Sequence, residues 1–113
     1  MFGHKAKQVR DNLHARDLAE AFWTYVEAPR CGEVYNIGGG VYSNCSMLEA
    51  IALTEKTVGR PLDWVYEQDA RTGDHIWWIG DIEKFRTHYP RWRVTLDVPA
   101  IISEIADALR ERV

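Results

Sequence analysis

Four stretches of helical periodicity are separated by extended segments of only a few residues, and that imbalance restricts most what this chain can fold into. From residue 17 to about 28, the apolar positions Leu18, Ala21, Phe22, Tyr25 and Val26 recur at helical spacing, and Pro29 stops the pattern. Asp17 falls in the first turn, where the positive end of the helix dipole favours a carboxylate. A second helix opens on Ser46 and Glu49, a Ser-x-x-Glu capping box, and closes at Gly59. Leu48, Ile51, Ala52 and Val58 give it an apolar face, with Glu55 as the exception. A short helix over 81–88 ends at Pro90. The last helix has Pro99 in its first turn and a stripe of Ile101, Ile102, Ile105, Ala108 and Leu109.

The strands are weaker. Residues 7–14 look extended around Val9 and Leu13, 33–37 read as a short strand, 62–66 alternate, and 75–79 are a further extended candidate. Gly38-Gly39-Gly40 breaks the second of these. The pattern predicts an α/β or α+β fold of four helices and two or three short strands, with too few strands for a self-standing parallel sheet. Residues 1–113 read as a single domain, without repeat or linker.

Five Trp and five Tyr are many for this length, and most are expected in the core, with some on a surface meant for a partner. The net charge of −3 and the scattered basic residues argue against nucleic-acid binding, which needs a basic stripe. No apolar run approaches the roughly 20 residues of a membrane span. The N-terminus lacks the apolar core of a signal peptide, so a cytoplasmic location is expected. Cys31 and Cys45 form no Cys-x-x-Cys pair and read as two reduced thiols.

Chemistry-bearing patterns are few. Gly38-Gly39-Gly40 follows a strand and precedes a helix, but Ser43 occupies the third position of Gly-x-Gly-x-x-Gly, so a turn needing unusual backbone angles is expected rather than a pyrophosphate cradle. His4, His14, His75 and His88 share no metal-ligand spacing, and nothing marks a nucleophile. Two polar stretches, Arg10-Asp11 and Arg71-Thr72-Gly73-Asp74, pair guanidinium with carboxylate. Two guanidinium forks can clamp a diphosphate, and an adjacent carboxylate can orient them. Equally, each Arg–Asp pair can be a local salt bridge that holds its loop.

At these stretches the sequence resembles a known family. Val9-Arg10-Asp11-Asn12-Leu13-His14 with Asp17-Leu18-Ala19, then Val34-Tyr35-Asn36-Ile37-Gly38, then Arg71-Thr72-Gly73-Asp74 with Asp81, Lys84 and Trp92, are similar in order and spacing to the C-terminal region of extended short-chain dehydrogenase/reductases acting on sugar nucleotides. Residues 38–50, Gly73-Asp74-His75-Ile76 and His88-Tyr89-Pro90 look most like the CDP-paratose/CDP-tyvelose 2-epimerase branch, with UDP-galactose 4-epimerase more distant. The resemblance implies a substrate-binding region that closes over a CDP- or UDP-sugar, with NAD held by an N-terminal Rossmann half. It further implies that Arg10 and Arg71 contact the substrate diphosphate and that Asp74 positions the loop or a sugar hydroxyl.

The departure from the family is equally plain. The chain lacks the glycine-rich NAD fingerprint, and no tyrosine is followed four residues later by lysine, so the family's base is missing and no cofactor site is expected in this chain. Three readings follow. The chain is a stand-alone or truncated segment that binds a sugar nucleotide without catalysis; or a repurposed oligomerisation or interaction module; or half of a split epimerase needing a Rossmann-half partner. Elements that lack a Rossmann sheet beneath them would expose apolar faces, which makes a homo-oligomer an expectation too.

Overall fold

The computed structural model describes residues 3–69 and 72–112, and Arg71 therefore lies outside the described residues. Seven regular elements follow one another: β1 (Val9–Asp11), α1 (Ala15–Glu27), β2 (Asn44–Ser46), α2 (Met47–Val58), β3 (Trp77–Trp78), α3 (Glu83–His88) and α4 (Val98–Arg110). Four helices and a small three-stranded sheet make this the α/β fold expected. In the sheet β1 is central, antiparallel to β2 with Arg10 opposite Cys45, and parallel to β3 with Arg10 opposite Trp78.

The helix ends follow their local chemistry. His14 caps α1 by accepting the Arg16 amide on Nδ1 at 3.0 Å. At α2 both arms of the capping box form: the Ser46 hydroxyl accepts from the Glu49 amide, and the Glu49 carboxylate accepts from the Ser46 amide at 2.7 Å. Gly59 ends that helix at φ 75°, a left-handed angle that costs a residue without a side chain nothing. Asp97 caps α4, with Pro99 in its first turn.

The core is small and mostly aromatic. Ala21 of α1, Phe85 of α3, and Ile82, Tyr89 and Trp92 around α3 are buried together, with Tyr25, Tyr35 and Ile37 packed against them. Phe85 meets Trp92 and Tyr35 edge-on, with ring centres 5.1 and 5.2 Å apart. One buried carboxylate seals this core. Asp17 accepts the Thr95 amide at 2.9 Å, the Leu96 amide at 3.1 Å and the Thr95 hydroxyl, while the Trp92 indole donates to the Asp17 carbonyl at 2.9 Å. Burial pushes the Asp17 carboxyl up, but the Thr95 hydroxyl and the two amides outweigh it and hold the group below its ordinary range. α2 and α4 pack against each other apart from this cluster, without a fully buried residue in α2.

Several expectations need correction. Residues 33–37 and 62–66 form no strand, because no neighbouring strand among the described residues completes a ladder with them. Residues 44–46 do form one, since they lie beside β1. On α1, Phe22 and Val26 are both 63% exposed, and on α4 Ile105 and Leu109 stand in water as well. Of the five tryptophans only Trp92 is buried. The molecule is a slab of 47 × 38 × 19 Å with a radius of gyration of 16.6 Å, against about 13 Å for a compact chain of this length. Its accessible surface is 8243 Å², where a compact monomer of this mass has roughly 6,400 Å².

Candidate functional site

Strand β1 positions the two charged residues that the sequence singled out, and alternation along the strand sends successive side chains to opposite faces. Arg10 uses its fork locally and at long range. One Nη donates to the Val9 carbonyl at 2.7 Å, and the other reaches Asp74 Oδ1 at 2.6 Å across 64 residues of sequence. Both side chains are partly open, 35% for Arg10 and 23% for Asp74, so the pair borders water and stays reachable. A guanidinium carries five N–H donors, and beyond these two bonds the other three take no partner among the described residues. Of the three site residues named from sequence, Arg10 and Asp74 thus come together, and Arg71 is outside the described residues.

Asp11 does something that its neighbour in sequence does not suggest. It takes no part in a pair with Arg10. Its Oδ2 accepts the Gly40 amide at 3.0 Å and the Gly80 amide at 3.2 Å, tying the glycine turn and the end of the third strand to the first. A side chain at Gly38 would run into this carboxylate, and one at Gly39 into the Asn12 and Ser43 carbonyls. Gly40 has φ +54°. Three glycines are therefore required by close approach and by backbone angle. The signal for this was the glycine run itself, but its partner in β1 is 29 residues away.

That geometry also answers whether the turn could hold a dinucleotide. A pyrophosphate cradle needs free amides and positive potential. Here the Gly40 amide is engaged by a carboxylate whose negative charge faces the turn. A phosphate at this amide would meet a carboxylate of its own sign.

Beside the turn runs an open groove of about 510 Å³, walled by Asp11, Tyr35, Ile37, Trp77, Trp78 and Gly80. Its size is within the range of small-molecule sites, and its walls mix aromatic rings with the polar side chains of Asp11, Asn36 and Asp81. The Tyr35 hydroxyl is bonded to His88 Nδ1 at 2.7 Å, and burial, then the neighbouring Tyr35, push the Tyr89 phenol up, away from phenolate. Burial and then Glu49 likewise raise the Cys45 thiol, against a hydrogen bond from Asn12. Cys31 and Cys45 are both free thiols. Among the described residues no group of three or more His, Cys, Asp or Glu could hold a metal ion, and no helix is long and apolar enough to cross a membrane.

The same fold recurs in segments of solved sugar-nucleotide epimerases. The UDP-glucuronic acid 4-epimerase of Bacillus cereus, solved with UDP-glucuronic acid and NAD, superposes on all of this chain with a TM-score of 0.84 at 23% identity. The UDP-glucose 4-epimerase of Bifidobacterium longum, solved with NAD+ and UDP, covers 90% of it with a TM-score of 0.77 at 25% identity. By sequence, residues 1–38 match the NAD dependent epimerase/dehydratase family. The dTDP-glucose 4,6-dehydratase of Escherichia coli is 33% identical over 72 residues, 57% of this chain. Residues 1–38 are thus similar to the NAD dependent epimerase/dehydratase family, and a stretch of 72 residues is similar to a dTDP-glucose dehydratase. The chain matches 20% of the length of that dehydratase, and 35% and 31% of the two solved epimerases.

Proposed function

We propose that this chain is the substrate-holding segment of an NAD-dependent sugar-nucleotide epimerase of the CDP-paratose/CDP-tyvelose 2-epimerase kind, binding the nucleotide diphosphate and performing no catalysis by itself. The observation that carries the reading is the Arg10–Asp74 pair: two motifs 64 residues apart converge so that a carboxylate aims a partly exposed guanidinium. Arg10 and Arg71 grip the diphosphate, and Asp74 fixes the plane of the Arg10 fork. NAD, which supplies the hydride-accepting chemistry, is held by residues outside these 113, since the glycine turn is filled by Asp11. The narrowing to a CDP-sugar rests on the resemblance of residues 38–50 and 73–76 to that branch.

Titration of the chain with CDP-glucose and UDP-glucose, followed by NMR, tests this. Shifts should concentrate on β1 and the loop around Asp74, and CDP-glucose should bind the tighter of the two. Arg10→Ala should weaken binding by about tenfold or more, and Arg10→Lys should not restore it, because a lysine lacks the fork. No shift at Arg10 or Asp74 with millimolar ligand removes the binding claim. Equal affinity for both nucleotides removes the branch.

A further inference from the structure

We propose that the groove beside the glycine turn takes the hexose ring of the nucleotide sugar, stacked on Trp77, while Arg10 holds the diphosphate. The choice of ligand rests on the diphosphate reading above, and the choice of place rests on what lines the groove.

Two features of the lining match a sugar. The first is an open indole: Trp77 is 65% exposed and walls the groove of about 510 Å³. Its register partner is Val9, so it lies on the face of the sheet that carries Asp11. The second is a set of polar groups that are only partly used. Asp11 gives Oδ2 to the Gly40 and Gly80 amides, and Asp81 gives Oδ1 to the Glu83 amide at 2.9 Å. The other oxygen of each carboxylate takes no hydrogen bond from the described residues. Asn36, also in the wall, is exposed and bonds to none of them. A pyranose has C–H groups on its faces and hydroxyl donors around its rim. Its face packs on an indole while its rim donates to carboxylates, which can only accept.

The same lining turns other small ligands away. A phosphate in the groove would face two carboxylates of its own sign. A metal ion lacks a ligand set, since among the described residues no three His, Cys, Asp or Glu gather to hold one. The groove is also near Arg10. Trp78 lines it and is the register partner of Arg10, one strand spacing of about 4.8 Å away. β3 ends the sheet, so a hexose linked to a diphosphate at Arg10 has a single strand to cross before it lies on Trp77.

NMR titration of the full chain with CDP and with CDP-glucose tests this, reading the Trp77 indole N–H and the Arg10 amide separately. Far-UV circular dichroism confirms that each variant is folded. CDP-glucose should shift both signals, and CDP the Arg10 amide alone. CDP-glucose should bind about tenfold tighter than CDP, the gain expected from one stacked ring and a hydrogen bond to a charged group. Trp77→Ala and, separately, Asp81→Asn should each remove most of that preference and leave the affinity for CDP within about twofold of wild type. Equal affinity for the two ligands with a silent Trp77 indole overturns the hexose site and leaves the diphosphate reading standing. A Trp77 response to CDP-glucose with no Arg10 response to either ligand does the reverse. A preference that survives both substitutions overturns the hexose site as well, because the ring then sits elsewhere, and silence of both signals with millimolar ligand removes both readings.

Discussion

Replacing Asp17 by asparagine keeps the shape of the side chain and removes its charge, and the structure fixes what that should cost. The carboxylate accepts three hydrogen bonds while 2% exposed. A hydrogen bond to a charged group contributes about 1.5–3 kcal/mol, and one between neutral groups about 1 kcal/mol. An asparagine oxygen can still serve the two amides, and its NH₂ can donate to the Thr95 hydroxyl, so each bond drops by roughly 1 kcal/mol rather than being lost. With the weakened interaction at the start of α1, Asp17→Asn should destabilise the chain by roughly 3 kcal/mol, lowering the urea midpoint by about 1–3 M. Asp63→Asn, on an exposed carboxylate, should stay within about 0.5 kcal/mol of wild type. The pH dependence provides an independent reading. Because the folded chain holds the Asp17 carboxyl below its unfolded value of 3.8, its stabilisation is complete above that value and is lost as pH falls through the lower folded one. The wild type should therefore lose stability more steeply than Asp17→Asn below about pH 4. A variant with the wild-type urea midpoint, or with the same acid slope, would refute the account of Asp17 as a charged seal.

Two glycines should separate steric need from backbone need. Gly39→Ala drives a methyl group into the Asn12 and Ser43 carbonyls and should cost at least about 3 kcal/mol in urea unfolding, whereas Gly59→Ala meets open space and should cost about 1 kcal/mol for its left-handed angle alone. Ser46→Ala removes the acceptor of the Glu49 amide and should lower stability by about 1 kcal/mol, with faster hydrogen exchange confined to the first turn of α2.

The sequence made α2 and α4 legible because their signals are local. Ser46 and Glu49 lie three residues apart, Gly59 is adjacent to the helix it ends, and Pro99 sits inside the turn it starts. The strands were illegible for the opposite reason. Residues 33–37 have the composition of a strand yet no strand to pair with among the described residues, while Asn44-Cys45-Ser46 lacks that composition and becomes a strand because β1 lies next to it. Burial on α1 misled in the same way. Helical spacing groups Phe22 and Val26 with Ala21, but what covers a face is set by the rest of the fold, and here only the Asp17–Ala21–Tyr25 line faces the core. At the candidate site, the pairing of Arg10 with Asp11 suggested by adjacency gave way to Arg10 with Asp74, since neighbouring strand residues point to opposite faces. That Asp17 would reach Thr95 had no local signal at all.

The bonds that close the core also set a timetable. Asp17 is sealed by a residue 78 positions later, and its carbonyl by an indole 75 positions later. At a synthesis rate of about 5–20 residues per second, α1 leaves the ribosome roughly 4–16 s before its partners exist. Over that interval the helix carries a hydrated carboxylate where the finished core will be, and it has no aromatic cluster to rest on. The capping groups of α2, by contrast, all lie within 14 residues of one another. The Asp17 carboxylate thus waits for residue 96 before the last of its three hydrogen bonds can form.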